Sequence, residues 1–348
     1  MANHVPYIVV VLAPQLSDIR AWIFKSKTEA KLTFFKMRFN LKIPVDREFD
    51  SVGFGTNAVD YLITVPEYPQ FDSKIRLNDY VQAAGGEIAT AMTGLSRLGL
   101  RTAYVGRFGD DKEGVYGIQS LKDDGVDVSH VQVIEGARTQ IAFIIIDAST
   151  GERTVIWERD SRLGYSPEEA PTDLVSKAKA LHFTPHDTEA ALVLAREARA
   201  AGTIVSSDID NLFPGIQDLL PFIDVMVTSA DFPEKLFGIS DPETALKEMS
   251  ARFGCVLTGI TLGESGSLIY SGGSFIETSG YSVPGGCKDT TGAGDALRAG
   301  LLYGLLQGED LETAAKMANA VAALKCRKVG ARTALPSANE LTEFLASH

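Results

Sequence analysis

Several things that would narrow the chemistry of this 348-residue chain are scarce or missing. Its three cysteines, Cys255, Cys287 and Cys326, are odd in number and form neither a CxxC pair nor a metal-ligand spacing. That excludes a disulfide framework and predicts reduced thiols. The five histidines make no HExxH pattern, so nothing points to a structural zinc site. Basic residues are in deficit, 33 Lys and Arg against 45 Asp and Glu, for a formal net charge of -12. This argues against a nucleic-acid groove or an anionic membrane surface as partner, since either needs a basic stripe. The early apolar run from Ile8 to Ala13 lacks a basic leader and falls far short of the roughly 18 to 20 residues of a membrane span. No anchor and no targeting signal is read, and the cytoplasm is the expected location. Internal repeats and low-complexity tracts are also missing.

What is present is enough chain for one large α/β domain or two ordinary ones. Residues 15 to 46 mix charges and aromatics without a clear period, and Met37 stands just ahead of a more ordinary start. Residues 1–46 are therefore read as an N-terminal extension, with 1–36 either poorly docked or preceding the true start. Residues 47–348 are read as the folded unit. There, short apolar strands alternate with helices, a pattern that predicts a mostly parallel sheet covered on both faces. The clearest helices start at Glu87, Thr188 and Asp241; strands are expected at 102–106, 180–183, 203–207, 225–228 and 256–261. Residues 59–83 and 131–158 are β-branched, aromatic and free of long helices, which suggests a small separate sheet, or else an edge extension of the main one. Its place in the order of elements suits a lid, with Gly85, Gly86 and Gly109 as hinge points.

The chemistry is densest at Lys288 to Asp295, whose Gly292-Ala293-Gly294-Asp295 runs into a helix of small and apolar residues. Small residues let the backbone pass close to a ligand, and a helix beginning here would turn its free N–H groups and positive dipole end toward an anion. Asp295, on the first turn, could touch a hydroxyl brought up to that anion, an arrangement that suggests phosphoryl transfer to an alcohol. Taken alone, the four residues read equally well as a loop that caps a helix. The longer pattern, Asp289-Thr290, then Gly292 to Asp295, then Ala299-Gly300-Leu301-Leu302, resembles the C-terminal signature of the ribokinase-like carbohydrate kinases, the PfkB family. That resemblance covers about residues 50 to 345 and implies a three-layer α/β/α sandwich with a small β lid, a sugar as acceptor, ATP as donor and Mg²⁺ as cofactor.

Other segments fit less closely. Gly53 to Ala58 matches GxGxxA, but the β-prone stretch that follows, interrupted by Pro66 and Pro69, is poor helix material, so a dinucleotide reading is set aside. The same segment is read as a strand delivering Asn57 and Asp60 to a pocket. Alone, Asp60 would be a turn-stabilising Asp; the resemblance makes it the sugar-holding carboxylate, with Asn57 one residue off the family spacing. Gly85-Gly86 and Gly109-Asp110-Asp111 resemble the N-terminal signature, but Glu87 and Thr90 stand where relatives often carry Asn. Glu87 either accepts sugar hydroxyls or simply begins a helix, where an acid suits the dipole. In the pocket, its charge would favour a neutral polyol over a phosphorylated or acidic sugar.

On the nucleotide side, Thr261, Gly263 and Gly266 resemble the TxGxxG turn beside the phosphates, though hairpins also use such glycines. Asn319 occupies a region that borders adenine in relatives, or is a core-edge Asn. Where relatives carry AsnxxGlu for Mg²⁺, this chain has Ser229 to Phe232, leaving Asp231 or Glu234 as substitutes. Asp289 and the turn at 329–332 resemble the loops that hold a monovalent cation such as K⁺. There is no GxxxxGK[ST], so a Walker-type site is excluded. The expected machinery is Asp295 as base, with the Gly292, Ala293 and Gly294 amides on the γ-phosphate and Asp60, Asn57, Gly85, Gly86 and Glu87 around the sugar. A nucleoside kinase and a catalytically silent sensor are the competing expectations. A homodimer through the lid strands is the expected assembly.

Overall fold

The computed structural model describes residues 39–348 and, ahead of them, the backbone of two short antiparallel strands, β1 (Trp22–Phe24) and β2 (Ala30–Leu32). The expectation about residues 1–36 otherwise lies outside the described residues. Phe39, Leu41 and Ile43 sit half-buried against the core, inside the stretch that composition assigns to the extension.

The chain then runs through β3 (Phe49–Phe54), β4 (Ala58–Val65), β5 (Asp79–Gly85), α1 (Glu87–Arg97), β6 (Thr102–Val105), β7 (Arg107–Gly109), α2 (Lys112–Asp123), β8 (Gln132–Ile134), β9 (Ile141–Asp147) and β10 (Arg153–Glu158). After α3 (Thr172–Val175) come β11 (Ala178–Phe183), α4 (Thr188–Ala200), β12 (Ile204–Ile209), α5 (Ile216–Leu219), β13 (Val225–Ser229), α6 (Phe232–Phe237), α7 (Pro242–Phe253) and β14 (Leu257–Thr261). A hairpin of β15 (Ser267–Ser271) and β16 (Ser274–Thr278) leads to α8 (Ala293–Leu306), α9 (Leu311–Lys325) and α10 (Ala338–Ala346).

The central sheet has eight strands in the order β16-β15-β14-β13-β12-β11-β3-β6, parallel except for the terminal hairpin. Its strands alternate their side chains between two cores. Val205 and Ile209 face one that includes Leu194 of α4 and Leu246 of α7. Ile204 and Val225 face the other, with Met92 of α1, Leu301 of α8 and Ala314 of α9. Helices thus cover both faces, as the strand and helix alternation predicts.

Close helix packing is written in small residues. A Cβ on Gly53 would stand 2.5 Å from Met92 Cγ, so this glycine lets α1 lie against β3. Cβ atoms on Gly300 and Gly304 would come within 2.9 and 2.8 Å of the Cα atoms of Ala318 and Ala314, which is how α8 and α9 pack tightly. The GxGxxA glycines therefore do packing work. β3 is followed by a strand, not a helix, so no helix N-terminus is aimed at a pyrophosphate.

β4, β5, β9 and β10 form a separate four-stranded sheet in the order β10-β9-β4-β5. One face carries Asp60, Ala142, Ile144, Val155 and Trp157 toward a cleft. The other carries Tyr61 stacked between Tyr80 and Phe143. The stretch from residue 131 contributes only its later part to this sheet, because β8 pairs with β7.

Candidate active site

The N-terminus of α8 faces a cleft of about 1440 Å³ between the central sheet and the small sheet, and Gly292 to Asp295 line it together. Gly292 has φ of 78°, a left-handed conformation, and a Cβ there would lie 2.8 Å from the Ala331 Cβ. Both facts demand glycine. No side chain caps α8. Its first closed turn is Ala296 N–H to Gly292 C=O at 3.0 Å, so the N–H groups of Gly294 and Asp295 precede the helical ladder. The Ala293 N–H is engaged by the Thr290 carbonyl at 3.1 Å, which removes one of the three amides expected to form the anion cradle.

Asp295 sits among acids. Asp208 and Asp210, at the C-terminal end of β12, line the same cleft, as does Glu87 at the start of α1. Arg298, one turn along α8 and buried, pairs with Asp208 at 2.9 Å and anchors its Nε on the Val227 carbonyl at 2.9 Å. Burial, followed by the Glu87 charge, raises the Asp295 carboxyl, with Arg298 opposing the rise. Asp208 is raised by burial and by Asp295, against Arg298. Glu87 is raised by burial and then by Asp208 and Asp210, while its Oε2 accepts a 2.6 Å bond from Thr56 Oγ1. Three close carboxyls in a poorly solvated pocket cannot all stay charged, and protons are shared among them.

Asp60 lies third in β4, on the cleft side, and is 4% exposed. A Cβ at Gly85 would overlap its carboxylate, and one at Gly86, where φ is 85°, would overlap the Asn57 backbone. The glycine pair is therefore the floor on which Asp60 rests. Burial pushes Asp60 up to about 7, with Arg332 the main opposing charge.

Thr261, Gly263, Gly266 and Asn319 line the far end of the cleft. Gly266 has φ of 105°, closed to other residues. Asn319 directs its amide to Ser267 Oγ at 2.8 Å and to the Ala315 carbonyl at 2.9 Å, so it is held as a fixed wall.

Four expected site residues, Asn57, Gly85, Asp231 and Asp289, stand outside the cleft lining. Asn57 bonds inward to Tyr104 Oη at 2.7 Å and the Arg107 carbonyl at 3.0 Å, and lines a separate cavity of about 10 Å³. It lies in the β3–β4 connection, and Asp60 stands inside the next strand, so the two are not delivered together from one strand end. Asp231 is outside the cleft lining, its carboxylate engaged by Ser229 Oγ at 2.6 Å and Lys235 Nζ at 2.7 Å. Among the described residues, no group of three or more His, Cys, Asp or Glu is arranged to hold a metal ion. Asp289 is buried behind the cleft wall.

The sequence pattern of the pfkB family carbohydrate kinases matches residues 51–338. The chain belongs to this family. It is a carbohydrate kinase with the ribokinase fold. It is 30% identical over 303 residues to the nucleoside kinase of Methanothermobacter thermautotrophicus, covering 84% of this chain and 94% of that one. Fructokinase-1 of Oryza sativa subsp. japonica is 30% identical over 321 residues, covering 85% and 97%. The solved structure of Arabidopsis thaliana ribokinase complexed with ribose and ATP superposes with a TM-score of 0.73 at 21% identity, covering 85% of this chain and 98% of that one.

Cleft residues that sequence reasoning missed are Thr56, Arg153, His186, Asp208, Asp210 and Arg298. Three carried a signal. Arg298 is a lone charge in the otherwise apolar core of α8, and Asp208 and Asp210 close a parallel strand, where α/β sheets bind ligands. The cleft wall also holds aromatics: His186 lies 6.2 Å from Trp157 and 4.8 Å from Phe213, ring centre to ring centre.

Proposed function

We propose that this kinase moves the γ-phosphoryl group of ATP onto a hydroxyl of a small neutral sugar of the ribose or ketose class. The observation that carries this reading is the acid lining of the cleft, where Glu87 and Asp208 act on Asp295 and where Asp60 and Asp210 also stand. An anionic acceptor would meet whichever of these carboxyls stay charged, at a cost on the order of a kcal/mol or more for each close like charge, in a pocket that already shares protons to limit its own charge. A neutral polyol finds hydroxyl partners instead.

The acceptor hydroxyl gives its proton to Asp295 as its oxygen bonds to phosphorus, and the bond from phosphorus to the β-bridging oxygen breaks to release ADP. Proton removal is late, and most of the acceleration comes from alignment and from the Gly294 and Asp295 N–H groups at the α8 terminus. Mg²⁺ entering with the nucleotide, held by phosphate oxygens and water, would neutralise the transferring group. The small sheet is the lid, with Asp60 gripping the sugar beneath it. Its outer face exposes Tyr80, Phe143 and Ile156, which supports a homodimer formed through that face.

A nucleoside acceptor is the second reading, favoured by the Trp157, His186 and Phe213 rings, which offer a flat base an apolar wall. ATP consumption screened against ribose, fructose, other ketoses, nucleosides and their phosphorylated counterparts separates the two. A neutral compound should exceed its phosphorylated counterpart in kcat/KM by roughly a hundredfold or more. Preference for a phosphorylated or carboxylated sugar by a similar factor would overturn the neutral-acceptor reading, and no turnover with any acceptor would favour a silent sensor.

A further inference from the structure

The resemblance places a monovalent cation beside Asp289 and the 329–332 turn, and the residues present do not leave that place open. Asp289 is fully buried: its Oδ1 accepts the Thr291 N–H at 2.8 Å and its Oδ2 accepts the Gly330 N–H at 2.8 Å. Lys325, from the last turn of α9 and equally buried, donates Nζ to the Asp289 carbonyl at 2.8 Å and lies 3.8 Å from Oδ2. An ammonium group and a potassium ion are similar in size and identical in charge. Here the ammonium faces both kinds of oxygen that such an ion would seek, a main-chain carbonyl and a carboxylate. A potassium ion seated beside it would face a like charge with little water between them.

The position also matters to the cradle. Asp289 fixes Thr291, the residue before the Gly292 bend, and Gly330, the residue before Ala331, on which that bend rests. We infer that Lys325 is the built-in monovalent cation of this kinase, a positioning residue that holds the 289–292 loop against the 330–331 turn, so that the enzyme works without potassium. This inference deepens the proposed function, and it rests on that reading only where turnover is measured.

The test compares the full-length protein in potassium chloride and in tetramethylammonium chloride at equal ionic strength. Thermal unfolding needs neither ATP nor acceptor, so it stays readable if the kinase reading fails. The melting temperature of the unaltered protein should agree between the two salts within about 1 °C, because an ion with no site gives no binding stabilisation. A potassium-specific rise of several degrees that saturates with concentration would overturn the inference, and this comparison decides even if no variant folds. Lys325→Met should melt lower in tetramethylammonium and regain part of the loss in potassium or ammonium chloride. Where turnover is measured, the unaltered enzyme should differ less than about twofold between salts, and Lys325→Met should lose roughly tenfold or more and recover part of it with potassium. A loss that no cation restores would reduce Lys325 to a packing residue and overturn the inference.

Discussion

At the scale of single residues, the site depends on carboxyls held far from their ordinary state. As the proposed base, Asp295 can act only when deprotonated, and its folded value lies at about 7, raised first by burial. Turnover should therefore climb as pH rises through the neutral range, as a kcat profile between pH 5 and 9 would register; a flat profile over that span would remove Asp295 from the role. Asp60 links pH to stability. Its folded value of about 7 stands above the ordinary 3.8, so between the two the folded chain holds a proton that the unfolded chain has lost. This contribution to stability is present below 3.8 and lost as pH rises through about 7. Asp60→Asn should accordingly gain several degrees in Tm relative to the unaltered protein at pH 8 and much less at pH 5, while acceptor binding weakens. Asp295 was singled out from its local run of glycines ahead of a helix, and Asp60 only through the family resemblance. The pairing of Asp208 with Arg298 was not legible, since the two meet only when β12 and α8 pack together, and no spacing along the chain records that meeting.

At the scale of elements, the proposed function rests on α8 and the small sheet. Gly292→Ala would force a side chain into a left-handed bend and against Ala331. It should destabilise the fold by about 1–3 kcal/mol and lower kcat/KM well beyond that loss, because the cradle moves with the bend. Chemical denaturation paired with steady-state kinetics would separate the two effects. Across the cleft, Arg153 of β10 donates to Thr290 Oγ1 at 2.7 Å and so ties the small sheet to the loop that precedes α8. Since this contact is exposed, Arg153→Ala should leave Tm nearly unchanged yet raise the acceptor KM roughly tenfold if closure of the sheet confines the sugar; an unchanged KM would contradict a latch. The helices at 87, 188 and 241 were readable from the alternation of helical and strand-like segments, and α1, α4 and α7 stand there. The pairing of β8 with β7 was not, because a three-residue strand has too little pattern to declare its neighbour.

At the scale of the whole molecule, alternation of apolar strands with helices revealed a covered parallel sheet, and the helix-free, β-branched stretches revealed a second one. The strand order was beyond reach from the chain alone, since it is set by which strands lie side by side after right-handed crossovers. The net charge of -12 is compatible with the proposal that the anionic donor is met by backbone and helix terminus rather than by a basic field. These levels converge on one claim, that Asp295 and the α8 terminus together transfer a phosphoryl group to a sugar hydroxyl. The most direct test is Asp295→Asn, with turnover measured on the preferred acceptor and binding of ATP and acceptor measured by calorimetry. The account predicts turnover lower by roughly two to four orders of magnitude with both affinities largely retained. Turnover near that of the unaltered enzyme would contradict it.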